Sequence, residues 1–415
     1  MTASARRKVR RRGLMGHRDF LLLWSAQGIS AIGSRITRTA LPMAAILAVG
    51  ASAIDLGLLT VALTLPGVAI ALLAGGWVDR HRRKPLLIAA DLLRAAALLA
   101  IPAAALSGRL DLPLLYIVAV IVGACSVLFT VADHVFITDL VARKRLLEAN
   151  GKREAVDAIA EISGPAIGGA LVALLTAPIA IAADAATFVG SALLIGSIRR
   201  RERIAATAKS ASLFADLRRG LHVVWRDGAI RALFLATATL TLCFSFMASL
   251  YTLYALRDLL LTPAELGVVI GCGGIGGLVG AGVAGRSAER WGVRRTLIGA
   301  LLLGGAMQAL VPLAPPVPAV AISFLIATQL VGDGALTVYL VNETTLRQQL
   351  LPADALGRAA ATWTVATGVL TPTGALAGAA LAEAIGMRPT LWLLPFAGVV
   401  AALWLMAARR ALPGR

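Results

Sequence analysis

Charge is scarce in this chain, and acid scarcer than base. Of 415 residues only 15% are charged, with 22 Asp and Glu against 40 Lys and Arg, a net charge of +18. Hydrophobic residues make up 58% and the mean hydropathy is +0.82, more apolar surface than a water-soluble domain can bury. Aromatic residues are 5%, too few and too deep in apolar runs to make the stacking platform of a nucleic-acid binder. The bases lie in short loops between apolar runs, so the positive charge reports topology and contact with anionic lipid, and no nucleic-acid partner is expected. There are three cysteines, Cys125, Cys243 and Cys272, each isolated in an apolar run, so neither a disulfide framework nor a metal-ligand spacing can be read. The four histidines (His17, His81, His134, His222) are equally scattered. No metal and no cofactor are expected. No loop gathers a His/Asp/Glu or Ser/His set, so an enzyme is not expected either. The alternation of a membrane β-barrel is missing as well.

What remains is a series of apolar runs near or above the length of about 20 residues that spans a bilayer as a helix. They predict an all-α polytopic membrane protein of about 12 helices in two pseudo-symmetric six-helix halves. Residues 1–18 read as a basic tail and 19–198 as the first half. Residues 199–229 form a polar linker. In it Leu213, Leu217, Leu221 and Val224 recur at the spacing of an amphipathic interfacial helix. Residues 230–408 read as the second half and 409–415 as a short tail. Within the halves the spacing predicts helix 5 over Asn150–Leu175, helix 8 over Pro263–Ala284, helix 10 over Val317–Val341 and helix 11 over Leu356–Ile385.

The link between helices 2 and 3 is Gly75-Gly76-Trp77-Val78-Asp79-Arg80-His81-Arg82-Arg83-Lys84-Pro85-Leu86-Leu87. Two hydrophobic helices on so short a charged link must be antiparallel neighbours, and its glycines permit close backbone approach. A second copy, Gly285 to Leu297, sets Glu289 in the place of Asp79 and Arg290 in that of Arg80. It lies half a chain away, as a parallel repeat of six-helix halves requires. The stretches leading into helices 5 and 11 echo one another too, as do Gly164-Pro165-Ala166-Ile167-Gly168-Gly169 and Pro372-Thr373-Gly374-Ala375-Leu376-Ala377-Gly378.

The first link resembles the helix 2–3 signature of the major facilitator superfamily at Gly75, Val78, Asp79, Arg80, Arg83, Lys84 and Leu87; Trp77 and Arg82 depart from it. The layout also resembles the secretion-effector branch, which includes enterobactin and macrolide exporters. Gly164-Pro165-x-x-Gly168-Gly169, with Gly151 upstream, is similar to the end of the helix 5 signature of proton-coupled drug exporters; Ala160 departs from it. Physically, Pro165 removes a backbone donor and kinks the helix, and the glycines leave a flat packing face. The resemblance implies a secondary transporter working by alternating access, most simply a proton antiporter exporting a drug, siderophore or secondary metabolite.

Deep charges in such a protein normally face a cavity or a partner. Glu154, Asp157 and Glu161 share one face of helix 5. Helix 1 contributes Arg35 and Arg38, helix 4 Asp133 and His134, helix 10 Asp333 and helix 11 Glu383. Asp91 and Arg94 read as an internal pair on helix 3. The branch's helix 1 acid is replaced here by Gly33-Ser34-Arg35, which moves the expected proton coupling to Asp157 and Glu161, with Asp133 beside them. The same change makes Arg35 and Arg38 candidates for anionic groups of a substrate. Asp79 is expected to dock near Gly357 and Arg358 at the start of helix 11, and Glu289 near Asn150–Arg153, in a conformational switch. Uptake of an anionic or nutrient solute is the alternative activity, and a transport-inactive sensor the alternative of another class. The expected partners are a small-molecule substrate, protons and the anionic inner leaflet, with the chain acting as a monomer.

The loops with few bases carry Arg109, Arg257 and Arg388, which puts both termini and the 199–229 segment in the cytoplasm of a cell-membrane protein. A cysteine placed at His222, with the native cysteines replaced by serine, should resist a membrane-impermeant maleimide in intact cells and react once the cells are opened. Labelling from outside would invert the topology.

Overall fold

The computed structural model describes residues 14–78, 80–200 and 213–412. Most of the N-terminal tail, Asp79, the middle of the linker and the last three residues lie outside them. The described residues are helical almost throughout, with no strand among them. In lipid this follows from the backbone: each N–H and C=O must be bonded within the segment, and a helix does that alone.

The first half comprises α1 (Arg18–Val49), α2 (Ala53–Val78), α3 (Arg83–Leu106), α4 (Leu112–Leu140), α5 (Leu146–Leu175) and α6 (Ala177–Gly196). The second comprises α7 (Gly228–Arg257), α8 (Pro263–Trp291), α9 (Val293–Leu313), α10 (Pro318–Leu350), α11 (Ala353–Ile385) and α12 (Met387–Ala407). Eleven of these are long and apolar enough to span a membrane by length and composition; α1 has 32 residues but carries Arg18, Asp19, Arg35 and Arg38. This is a multi-pass membrane protein. Ends are capped where they leave lipid. Asp111 accepts from Leu114 N–H, Asp227 from Ala229 and Ile230 N–H, and Thr262 with Glu265 closes a capping box on α8. Gly50 ends α1 at φ 77°, a left-handed conformation that favours glycine.

Three helices outrun their apolar stretches. α5 begins at Leu146 rather than Asn150, α8 continues from Ala284 to Trp291, and α10 continues from Val341 to Leu350. Hydropathy marks where lipid ends, not where the hydrogen-bond ladder ends. Glu, Arg and Gln are good helix formers and carry the helix into water. Glu289 and Arg290 therefore stand on the last turns of α8, not in a loop.

Chain direction puts the 2–3 link, the linker and both ends on one face, here the basic face; the opposite one is the far face. At the far face a single apolar core joins the halves, holding Leu41, Leu98, Phe188, Tyr254 and Leu325. Toward the basic face the core divides. One part, with Phe20, Leu87 and Phe136, belongs to the first half; the other, with Leu233, Tyr339 and Leu405, to the second. The linker helix Leu213–Arg226 packs on α11: a Cβ on Gly220 would lie 2.6 Å from Arg358 O and 2.2 Å from Thr362 Oγ.

The halves meet through backbone. A Cβ on Gly267 of α8 would lie 2.4 Å from Pro165 O and 2.9 Å from Gly169 Cα of α5. On the other side of the far face, Gly57 of α2 abuts Ala375 and Ala379 of α11, and Ile54 N–H donates to Glu383 at 3.3 Å. Within the second half, Gly398 of α12 packs as closely on Leu301 O of α9, where a Cβ would stand 2.3 Å away. Overpacking costs about 1–3 kcal/mol at either place, but with different results. Gly398→Leu should lower the melting temperature in detergent. Gly267→Leu should leave both halves folded and widen the distance between spin labels on the far-face ends of α5 and α8; an unchanged distance would remove that glycine contact as the clasp.

Candidate functional site

Between the halves lies a cavity of about 550 Å³. Its wall comes mainly from α1, α2, α4, α6 and α11, with Ser249 of α7. Most of the wall is aliphatic or small, with hydroxyls from Thr60, Thr64, Thr367 and Thr371. Two charged side chains reach it among the described residues, Arg38 of α1 and Asp184 of α6. Arg38 is accessible inside the cavity, with the Arg35–Glu161 pair near enough to act on its charge. The cavity can therefore hold an amphipathic body and offer it one cation and one carboxyl group.

Beside the cavity, α5 carries two ion networks. Glu161 pairs with Arg35 of α1. Gly164 makes the approach possible, because a Cβ there would lie 2.2 Å from Arg35 Cβ; Gly168, one turn on, lies against Ile36. Gly169, a residue further round the helix, faces α8 instead. The sequence Gly164-Pro165-x-x-Gly168-Gly169 thus serves two neighbours, α1 within the half and α8 across the interface. Pro165 lacks the N–H that an unbroken helix would donate to the Glu161 carbonyl, so the break in the ladder falls at the acid itself.

The second network is centred on Arg153. Its guanidinium reaches Asp133 at 3.4 Å and Asp157 at 3.9 Å, and stands 3.2 Å from His134 Nε2. Asp133 is buried and also accepts from Gln27 Nε2 of α1 at 2.6 Å. His134 Nδ1 lies 2.7 Å from the Thr130 carbonyl; a carbonyl only accepts, so the proton is on Nδ1 and Nε2 receives from Arg153. Asp157 and Glu161, grouped by their spacing, therefore belong to different bases. Glu154 is exposed, and a Cβ built on Gly151 meets open space.

The residues of the 2–3 link separate likewise. Gly75 lies within α2, Arg80 is exposed in the link, and Asp79 lies outside the described residues. Arg83 is buried, 3.6 Å from Asp139 at the end of α4. Lys84 Nζ donates to the carbonyls of Gly196 and Ile198, both at 2.7 Å. It thereby caps the C-terminal end of α6, where a cation is worth about 0.3–1 kcal/mol. Both bases serve contacts inside the first half. Glu289 and Arg290 are exposed on α8, with Arg290 6.0 Å from the Trp291 ring. Arg358 is half-buried in the first turns of α11 beside the linker helix, and a Cβ on Gly357 meets open space.

The sequence reading passes over three acids. Asp184 is fully buried at the cavity wall, Asp139 faces Arg83, and buried Glu343 lies 3.4 Å from Arg347, whose guanidinium covers Trp363 at 4.4 Å. Depth alone would have flagged Asp184, a single acid in the middle of an apolar run. Asp333, which depth does flag, lies against Gly273 of α8 directly after a π-helical turn, Thr328–Gly332.

The architecture is shared. A bacterial homologue of the iron transporter ferroportin in its inward-facing state superposes with a TM-score of 0.75 at 18% identity, covering 96% of this chain and 99% of that one. The outward-facing form of such a homologue gives 0.59 at 19% identity, covering 94% and 99%. By sequence, the multidrug efflux pump Tap of Mycolicibacterium fortuitum is 29% identical over 381 residues, covering 89% of this chain and 90% of that protein. The model of the Major Facilitator Superfamily matches residues 23–257 and again 233–415, the two matches overlapping within α7. This chain belongs to the Major Facilitator Superfamily.

Proposed function

We propose that the chain exports an amphipathic small molecule across the cell membrane by proton antiport, the state described here being the one open to the cytoplasm. The observation that carries this is the cavity between the halves: largely apolar, bearing Arg38 and Asp184, beneath a core that is continuous at the far face and divided at the basic face. The density of bases assigns the basic face to the cytoplasm. The higher likeness to an inward-facing than to an outward-facing relative agrees with that assignment. Similarity to Tap, a multidrug efflux pump, supports drug-like substrates and export over uptake. Uptake of an anionic solute remains the second reading, favoured by one feature, Arg38 standing in the cavity. Accumulation in vesicles of known orientation separates the two.

Coupling is assigned to the α5 networks. Glu161 is ion-paired with Arg35 in this state. Rocking of the halves slides α5 on α8 and strains the contact to α1 at the Pro165 break. Separation of the pair then exposes Glu161 for protonation on the other side, with Asp157 and Asp133 exchanging Arg153 between them. In the opposite conformation Asp79 docks near Gly357 and Arg358 in the first turns of α11, and Glu289 near Asn150–Arg153 in the first turns of α5, each drawn by the positive end of the helix dipole. The protein works as a monomer, its basic face against anionic lipid.

Ethidium, a lipophilic cation, is a suitable probe. Glu161→Gln should reduce pH-gradient-driven ethidium uptake into everted vesicles by about tenfold or more, while equilibrium binding to the purified protein changes less than about twofold. Full gradient-driven transport by this variant would remove Glu161 from the coupling step.

A further inference from the structure

Asp184 is the carboxyl in the cavity wall, and behind it lie a second carboxyl, Asp91, and the guanidinium of Arg94 paired with it. Asp184 on α6 is 1% exposed; Asp91 and Arg94 on α3 are 0% and 3% exposed. Arg94 pairs with Asp91 through Nη2 and Oδ1. Its guanidinium is held between two rings, 4.1 Å from the centroid of Phe188 and 4.7 Å from that of Phe129, with Ser126 Oγ 3.5 Å from Nη1. Phe188 and Ser126 also line the cavity, so this cluster and the substrate space share a wall. Thr187 Oγ donates to Asp184 Oδ1 at 2.9 Å. α1 closes directly over that carboxyl, since a Cβ on Gly33 would lie 2.2 Å from Oδ1. Among the described residues the outer oxygens of both carboxyls, Asp184 Oδ2 and Asp91 Oδ2, meet no well-aligned donor; the buried hydroxyl of Thr37 stands beside Asp184 and that of Ser191 beside Asp91.

Asp184, Asp91 and Arg94, when all are ionised, carry one negative charge in excess. The surroundings do not offset it. Among the described residues the charges acting on Asp184 are Arg94 and Asp91, both from α3. α4 adds the Cys125 thiol beside Arg94 and, from Asp133, more negative charge toward Asp91. α1 faces Asp184 with the neutral Thr37, its Arg38 standing in the open cavity. Like charges sharing one buried cation are costly to keep ionised together, and one proton restores neutrality. Asp91 already holds Arg94, which leaves Asp184 to carry the proton on Oδ2, with Thr37 Oγ as the acceptor at hand.

We propose that Asp184, Arg94 and Asp91 form a proton-binding site in the wall of the central cavity, separate from the Arg35–Glu161 pair, with Asp184 as the carboxyl that is loaded and unloaded. The use of that proton rests on the export reading. A cationic solute entering the cavity takes its place: the O–H bond of Asp184 breaks, the bonding electrons stay on the carboxylate, and the proton passes to cavity water. The charge of the site is conserved by the exchange.

The test is infrared difference spectroscopy on the full chain in lipid vesicles, stepped between acid and alkaline pH. The C=O band of protonated carboxyls should contain one component that persists in Glu161→Gln and is lost in Asp184→Asn. Asp91→Asn, which leaves one carboxylate to one guanidinium, should lose the same component although Asp184 is present. Thr37→Val, equal in shape, should shift it in frequency by removing the acceptor. A component unchanged in all three cluster variants, or lost in Glu161→Gln, overturns the assignment. Ethidium transport in everted vesicles separates this inference from the reading beneath it. No pH-driven transport by the wild type would sink the export reading and leave the proton site standing, whereas wild-type rates in a folded Asp184→Asn would sink the coupling role alone.

Discussion

Helices in hydrocarbon gain little from burying apolar side chains against one another, because lipid is as good a partner. What joins the halves of this protein is backbone approach, and that needs residues without side chains. Gly267 on α8 against Pro165 and Gly169 on α5, and Gly57 on α2 against Ala375 and Ala379 on α11, put the two interfaces at the far face. The continuous core at that end and the divided core at the other follow from their position. The contacts continue to mid-helix, at Gly271 and Gly274 of α8 on Ile162 of α5 and at Gly368 of α11 on Val68 of α2, and the cavity lies where the halves part.

The same economy governs charge. A buried ion must find its counter-ion within the bundle, and among the described residues the first half supplies three groupings besides the Arg83–Asp139 pair. Arg35 answers Glu161, Arg153 answers Asp133 and Asp157, and Arg94 answers Asp91. The first joins α5 to α1 one turn before the Pro165 break, and the second joins α5 to α4 nearer the start of α5. The third lies behind the cavity wall, with Asp184 in excess.

The bases of the 2–3 link differ in their surroundings. Lys84 caps α6 and Arg83 faces Asp139, so two of its cations fasten α3 to its own half. Arg80 remains exposed in the link. A base-rich loop thus acts as a structural fastening within the first half.

Much was legible in the chain itself. The number and order of helices follow from apolar runs of bilayer length, and the twofold repeat follows from the recurrence of the 2–3 link at Gly285–Leu297, because both are local properties of composition. The Pro165 break was legible for the same reason. Helix ends were not: α8 and α10 run past their apolar stretches, since the hydrogen-bond ladder does not stop where lipid does. Nor was the division of α5's acids between Arg35 and Arg153, which spacing along one helix cannot reveal when the bases come partly from another. Asp184 could be found by depth, but its meeting with Arg94 depends on how α3 and α6 are rotated about their own axes, and an apolar environment on every side leaves no periodicity to fix that rotation. The sequence by itself determined a two-half helical membrane protein with deep charges; the packing of helix on helix alone decided which charges meet, and which of them face the cavity.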